Sequence, residues 1–232
     1  SGGAYWVVKS FGGDYWDEAV TESQMGKPET VEAMQFIADL MWESQVMPSA
    51  ALVQGLGMSS ELAFTSGLIG MHYGLNDVSF RFGEAIGDQF QWTVAPTPTG
   101  PAGRFQFSGG SAFAIPTTCE QADMAYELTS WVLANPENLP TTAVMGGALV
   151  GNMNFAEFGL PPEESGIRDE FAHAFVEMGA QNPCYPAYHK DYQEWESTVY
   201  RVCLDPLWIG EERNAATACQ CADEGTNALL AA

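Results

Sequence analysis

Apolar positions recur at helical spacing over residues 28–46, PETVEAMQFIADLMWESQV. Val31, Met34, Ile37, Ala38 and Met41 fall on one face, which predicts a helix with that face buried. Pro28 suits its first turn and Pro48 lies just past its end. Trp42 and Met47 are expected in the core. A shorter helix is predicted over SSELAFTSG, capped by Ser59 or Ser60 and stopped at Gly67. LIGMHY then reads as a buried strand, and QWTVAP as another, with a short helical or looped stretch from Asn76 to Ile86 between them. The proline-rich TPTGPAG that follows has little freedom for regular structure and reads as a surface connector. Two short β-like runs, Phe105 to Ser108 and Ser111 to Ile115, flank Gly109 and Gly110.

A strong helix is predicted from about Glu120 to Ala134, with Thr118 as a cap and Met124, Leu128, Trp131 and Val132 on its inner face. Three further helical stretches follow: SGIRDEFAHAFVEMGA, KDYQEWESTVYRVCLDPLW and EERNAATACQCADEGTNALL. No repeat of 20–50 residues and no low-complexity segment interrupts this order. Short strands early and helices late predict an α/β protein.

Composition narrows the class. The 232 residues are 46% hydrophobic and 16% charged, which suits a folded chain able to bury a sizeable core. No window holds the run of apolar residues that a membrane span needs. The opening residues, SGGAYWVVKSFGGDYW, lack the basic stretch and long apolar core of a signal peptide. A formal net charge of −22 would repel phosphate backbones, so nucleic acid is not an expected partner. The acids are dispersed, which makes a solvated surface the first reading and attraction of a cationic solute the second.

Candidate chemistry is sparse. G-x-S-x-G, the phosphate-loop pattern, H-E-x-x-H and the dinucleotide glycine fingerprint are all missing. Ser111 follows two glycines but has no nearby His, and His72 and His173 read as packed or surface residues. His189 lies in the aromatic-rich NPCYPAYHKDYQEW, placed near a ligand before a reaction centre. Asp14 with Asp17, or Glu163 with Glu164, could be imagined as a glycosidase pair, yet such pairs arise by chance among 30 acids. Cys219-x-Cys221 is too tight for the usual zinc or redox spacing, so neither a metal nor a cofactor is expected. One or two disulfides among Cys184, Cys203, Cys219 and Cys221 would fit an exported protein, with the connectivity open. Aromatic residues in loop-like places (Tyr5, Trp6, Tyr15, Trp16, Tyr185, Tyr188 and Trp195) offer flat faces of the kind that suit sugar rings.

Taken in order, these stretches resemble the extracellular solute-binding proteins of ABC importers, in particular the family 1 group that includes maltose-binding protein. FGGDYW is similar to the glycine-pair–aromatic turn of the family's second lobe. TVEAMQFIADLMWESQVMP resembles its A-x-x-F-x-x-D-L helix ending in proline, and ELAFTSGLIGMHYG its A-F-x-x-G-x-x-A-M segment. WTVAPTPTGPAG is similar to the crossing strand with its P-x-P-x-G-P loop. FSGGSAFAIPTTCEQADMAYELTSWVLANPEN resembles the glycine loop leading into a strand and helix. Two departures stand out. The long N-terminal portion that forms most of the first lobe is not among these residues, and MHYGLND places Asn76 and Asp77 where an aromatic commonly follows.

The resemblance implies an α/β, periplasmic-binding-protein-like (type II) fold comprising the second lobe plus the returning segments of the first. It implies second-lobe structure over residues 1–95, a crossing segment over 96–145, and C-terminal helices over 146–232 that pack on the second lobe. Two lobes would close about a hinge on a small polar solute, a carbohydrate first and a polyamine or other cation second. Expected ligand contacts are Tyr5, Trp6, Asn76, Asp77, Gly109, Gly110, Ser111, Tyr188 and Trp195, the last lying nine residues after Pro186 where sugar-binding relatives often place a stacking Trp. The implied protein is a non-enzymatic monomer, periplasmic or extracellular and open to lipid anchoring, that delivers its solute to a membrane permease. The rivals are a carbohydrate-active hydrolase with facing carboxylates and a surface interaction domain.

Overall fold

The structure is a computed structural model, and it describes residues 2–75, 82–109, 113–139, 160–161, 163–178, 181–187 and 189–231. Two compact units emerge: Ser1–Ser59 with Thr97–Ser108 and Gln181–Ala232, and Ser60–Pro96 with Gly109–Ala180.

The first unit opens with helix α1 (Gly2–Phe11), so Tyr5 and Trp6 stand on a helix and not in the loop expected from sequence. Tyr5 and Val8 turn into the core. The helix ends in the glycine pair. Gly12 takes a left-handed φ of +91° and donates its N–H to the Lys9 carbonyl, while the Gly13 N–H reaches the Val8 carbonyl. This is the Schellman arrangement, which satisfies carbonyls the helix would leave open. A Cβ on Gly13 would lie 2.5 Å from Thr30 Oγ1, so the second glycine is what lets the chain pass against the next helix.

That helix, α2 (Pro28–Trp42), starts with proline at its first turn and buries Thr30, Ala33, Met34, Ile37, Ala38 and Met41. The apolar period therefore found its inner face, and Val31 packs at the edge of it. Met47 is exposed rather than in the core. Trp42 is half-buried, donating its indole N–H to the Leu207 carbonyl under the Arg213 guanidinium, 4.6 Å from the ring centre. The short helix α3 (Ala50–Gly55) follows.

The proline-rich connector folds back on α1. Gly100 and Gly103 bridge across a tight turn, and the Ala102 N–H donates to the Ser10 carbonyl at 2.9 Å. Next comes strand β1 (Gln106–Phe107), paired parallel with β2 (Pro183–Cys184) in the register Gln106 to Pro183 and Phe107 to Cys184. The unit closes with helix α7 (Tyr192–Trp195), a wide i→i+5 turn over Glu196–Tyr200, α8 (Arg201–Ile209) and α9 (Ala215–Leu230). Trp195, Val199, Cys203 and Leu207 recur every four residues and are all buried. Four exceeds the 3.6 residues of a regular turn, so this stripe would drift around a regular helix, and the wide turn keeps it facing the core. Asn214 caps α9 by accepting the Ala216 N–H, and Gln35 of α2 accepts the Ala215 N–H at 2.9 Å.

In the second unit, α4 (Ser60–Thr65) stops before Gly67, whose φ is +75°. Residues 82–86 form a helical turn, and Phe82 and Ile86 gather Phe64, Phe90 and Trp92 into a small aromatic core. Helix α5 (Ala122–Ala134) is flanked by Gln121 and Asn135, without a side-chain cap from Thr118. Helix α6 (Arg168–Phe171) runs into a second wide turn over Ala172–Glu177, burying Phe171 and Ala174. Three expectations fail here. LIGMHY and QWTVAP join no ladder among the described residues, and Met124, Leu128 and Trp131 point outward from a helix with no buried residue. Ser111 lies outside the described residues, and 113–116 are irregular.

Candidate functional site

In the first unit, α1 packs against both β1 and β2 and carries Tyr5 and Lys9 to Asp14, the residue after the glycine pair. Lys9 Nζ lies 2.9 Å from Asp14 Oδ2. The Tyr5 hydroxyl donates to Asp14 Oδ1 at 2.8 Å, and so does the Tyr15 backbone N–H. Burial first, and the neighbouring Asp14 charge second, push the Tyr5 phenol far up, so it remains a hydrogen-bond donor at any working pH. The carboxylate is therefore held by one ammonium, one phenol and one amide. Lys9 and Asp14 each keep somewhat over a quarter of their side chain open, at 28% and 29%.

A further aromatic ring borders this ion pair. Lys9 Nζ sits 5.9 Å from the centre of the Phe105 ring. Beyond it, Phe107 on β1 packs on Tyr185, just past β2, with centroids 5.3 Å apart. Tyr185 is 60% exposed, and Trp6 is half-buried beside the same core. A flat apolar face such as Phe105 next to a partly open charged pair can take a ring on one side and hydroxyls on the other.

The residues picked from sequence separate on inspection. Tyr5 is buried and takes part through its hydroxyl. Trp6 keeps an open portion, and Gly109 is exposed just beyond β1. Trp195 is a correction. It is 0% exposed, with Trp16, Tyr15 and Tyr200 rings at 4.9, 5.3 and 5.3 Å, and its indole N–H donates to Thr226 Oγ1 at 2.8 Å. Its faces stack on the protein's own aromatics and leave none for a solute. Asn76, Asp77, Gly110, Ser111 and Tyr188 lie outside the described residues.

Lys9, Phe105 and Phe107 are not among the residues expected from sequence, and Asp14 is expected there only as half of an acid pair. The signal for Lys9 was one of three lysines in a chain of net charge −22, one helical turn after Tyr5. The imagined pair of Asp14 and Asp17 does not form an acid and nucleophile. Asp14 is salt-bridged, and Asp17 accepts from Glu22 and Thr21, which hold its carboxyl below the usual range, whereas a general acid needs the opposite shift. Of the histidines, His72 packs against Phe82 and is pushed down by burial, His173 contacts Glu177 at 2.9 Å on the surface, and His189 lies beside Trp16. Among the described residues, no group of three or more His, Cys, Asp or Glu could hold a metal ion, and no helix is long and apolar enough to cross a membrane.

No protein-family model matches the chain, and no curated protein matches it in sequence. Solved structures do match. The ABC substrate-binding protein Lmo0181 from Listeria monocytogenes, in complex with cycloalternan, aligns over 99% of this chain with a TM-score of 0.80 and 20% identity. The cyclic alpha-maltosyl-1,6-maltose binding protein from Arthrobacter globiformis aligns over 98% with a TM-score of 0.67 and 20% identity. The chain spans 56% and 55% of those two proteins. Its fold is that of these two sugar-binding proteins, the α/β periplasmic-binding-protein-like (type II) architecture expected from sequence, represented here in part.

Proposed function

We propose that the chain belongs to the solute-binding component of an ABC importer, a non-enzymatic protein that captures a carbohydrate and delivers it to a membrane permease from a periplasmic or extracellular position. The observation that carries the reading is the fold likeness over 99% of the chain to a substrate-binding protein solved with a sugar. The first unit supports it locally, because Phe105 supplies a ring face beside Lys9, which with Asp14 supplies hydrogen-bonding groups, and Phe107 with the exposed Tyr185 supplies a second aromatic pair. Asn76, Asp77, Gly109, Gly110, Ser111 and Tyr188 belong to the proposal on the sequence resemblance alone. A second reading, capture of a polyamine or similar cation, is favoured by the net charge of −22.

Titration calorimetry of the natural polypeptide that carries these residues separates the two. The panel holds cycloalternan, cyclic alpha-maltosyl-1,6-maltose, linear malto-oligosaccharides and polyamines. Binding of a saccharide, weakened about tenfold (about 1.4 kcal/mol) by Tyr185→Ala or Trp6→Ala, is the expected result. Saccharide binding that ignores both variants would retain the function and discard this face as its site. Heat from the polyamines alone would establish the second reading, and no heat from any member would sink the proposal.

A further inference from the structure

Lys9 sits where three separate features favour a cation. It lies in the last turn of α1, the end at which the helix carries its negative pole. Its Nζ is 2.9 Å from Asp14 Oδ2, and the centre of the Phe105 ring is 5.9 Å away, within reach of a cation–π contact. Phe105 comes from a distant part of the chain and is anchored there by its carbonyl, which accepts from Thr97 Oγ1 at 2.7 Å. A helix C-terminus, a carboxylate and an aromatic face together make an ammonium site. Here the ammonium is the protein's own.

The rest of that site does not need Lys9 to hold its shape. Asp14 Oδ1 accepts from the Tyr5 hydroxyl and from the Tyr15 N–H, both at 2.8 Å. The backbone is fixed as well, because the Asp14 N–H donates to Thr30 Oγ1 at 3.2 Å and that hydroxyl donates to the Asp14 carbonyl at 3.0 Å. Thr30 is fully buried on α2. Removing the Lys9 ammonium would therefore leave a preorganised carboxylate, still partly open to solvent and beside a free ring face.

With Lys9 in place the pair carries no net charge. The ammonium has three N–H groups and gives one to Asp14, so it can still donate to a hydroxyl. A second cation would meet a carboxylate whose charge is already balanced and an ammonium of like sign. This local arrangement opposes the global one, since a net charge of −22 draws cations to the surface as a whole.

We propose that Lys9 sets the charge class of the solute. Its ammonium fills a cation position formed by Asp14, Tyr5 and Phe105, which closes this face to polyamines and leaves it to uncharged polyhydroxyl compounds. The inference rests on the reading of this face as the solute site. Its test reads cation binding, which requires no saccharide, so its failure is separate from a failure of that reading.

The natural polypeptide that carries these residues is titrated with spermidine at about 0.15 M salt, where diffuse attraction is screened beyond about 8 Å. Lys9→Ala should bind spermidine at least tenfold more tightly than the wild type. Lys27→Ala, which removes an equal charge from an exposed pair with Glu22, should gain nothing. Adding Asp14→Asn to Lys9→Ala should abolish the gain. In the same way n-propylammonium, which replaces the atoms removed, should raise the melting temperature of Lys9→Ala and leave that of the wild type in place. If alanine prevents folding, Lys9→Gln removes the charge while keeping the stem, and it should gain at least threefold. A gain no larger than that of Lys27→Ala, a gain that survives Asp14→Asn, or wild-type binding of spermidine as tight as that of the Lys9 variants would each overturn the inference.

Discussion

Trp195 and Thr226 define each other's role. The indole N–H donates to Thr226 Oγ1 at 2.8 Å, and that hydroxyl donates on to the Ala222 carbonyl at 2.6 Å, all out of reach of water. Thr226→Val keeps the volume and removes the acceptor, which strands a buried donor and should cost about 1–3 kcal/mol in urea unfolding. Trp195→Phe removes the donor instead, so the double variant should lose less than the sum of the two single losses. Strict additivity would mean the bond is not the link between them. A core tryptophan and a ligand-stacking tryptophan look alike in sequence. What separates them is the cover over the ring, and here it comes from Tyr15, Trp16 and Thr226, distant in the chain. Met34, Ile37, Ala38 and Met41 were legible because their evidence, a period within one helix, is local.

Among the elements, α8 and α9 are tied by a Cys203–Cys221 disulfide across a separation of 18 residues. Closing a loop of that size in the unfolded chain is worth about 3 kcal/mol, which reduction should remove. The other thiols differ in access. Cys119 is half-exposed, whereas Cys184 and Cys219 are buried, and burial is the largest cause pushing their thiols up to about 11 and about 12. At pH 8 both therefore stay protonated and poorly nucleophilic, although Cys219 lies two residues from the disulfide. Alkylation of the native protein at pH 8 should label Cys119 alone, and all three once unfolded. Native labelling of Cys219 at the rate of Cys119 would contradict its place in the core. Helices such as α2 were the legible elements, since they carry their own period and breakers, whereas α1 was not foreseen. The stretches 68–73 and 91–96, expected as strands and the first as a buried one, form no sheet among the described residues, and Leu68 and Met71 are exposed, because a strand is completed by its neighbours. The site's Lys9 and Asp14 lie close in the chain but Phe105 comes from a distant stretch, and no spacing in the sequence announces their meeting.

At the scale of the whole molecule, charge is the largest unbalanced quantity. Thirty acids face eight Lys and Arg, and ion pairs such as Lys27–Glu22 are exposed, so they offset little of the repulsion. Folding draws these like charges closer than the expanded chain holds them, which destabilises the compact state. Salt shortens the reach of that repulsion, from about 10 Å at 0.1 M to about 3 Å at 1 M. Raising potassium chloride from 0.05 to 1 M should therefore stabilise the protein by about 1–2 kcal/mol, seen as a rise of about 2–8 °C in melting temperature. Potassium chloride is the right probe because sulfate or phosphate would also strengthen apolar burial and confuse the cause. Acid should act in the same direction at first, since protonating exposed carboxylates lowers the net charge. A melting temperature that stays flat or falls across the salt range would show that the dispersed acids are already far enough apart to be solvated independently, and that net charge does not limit this fold.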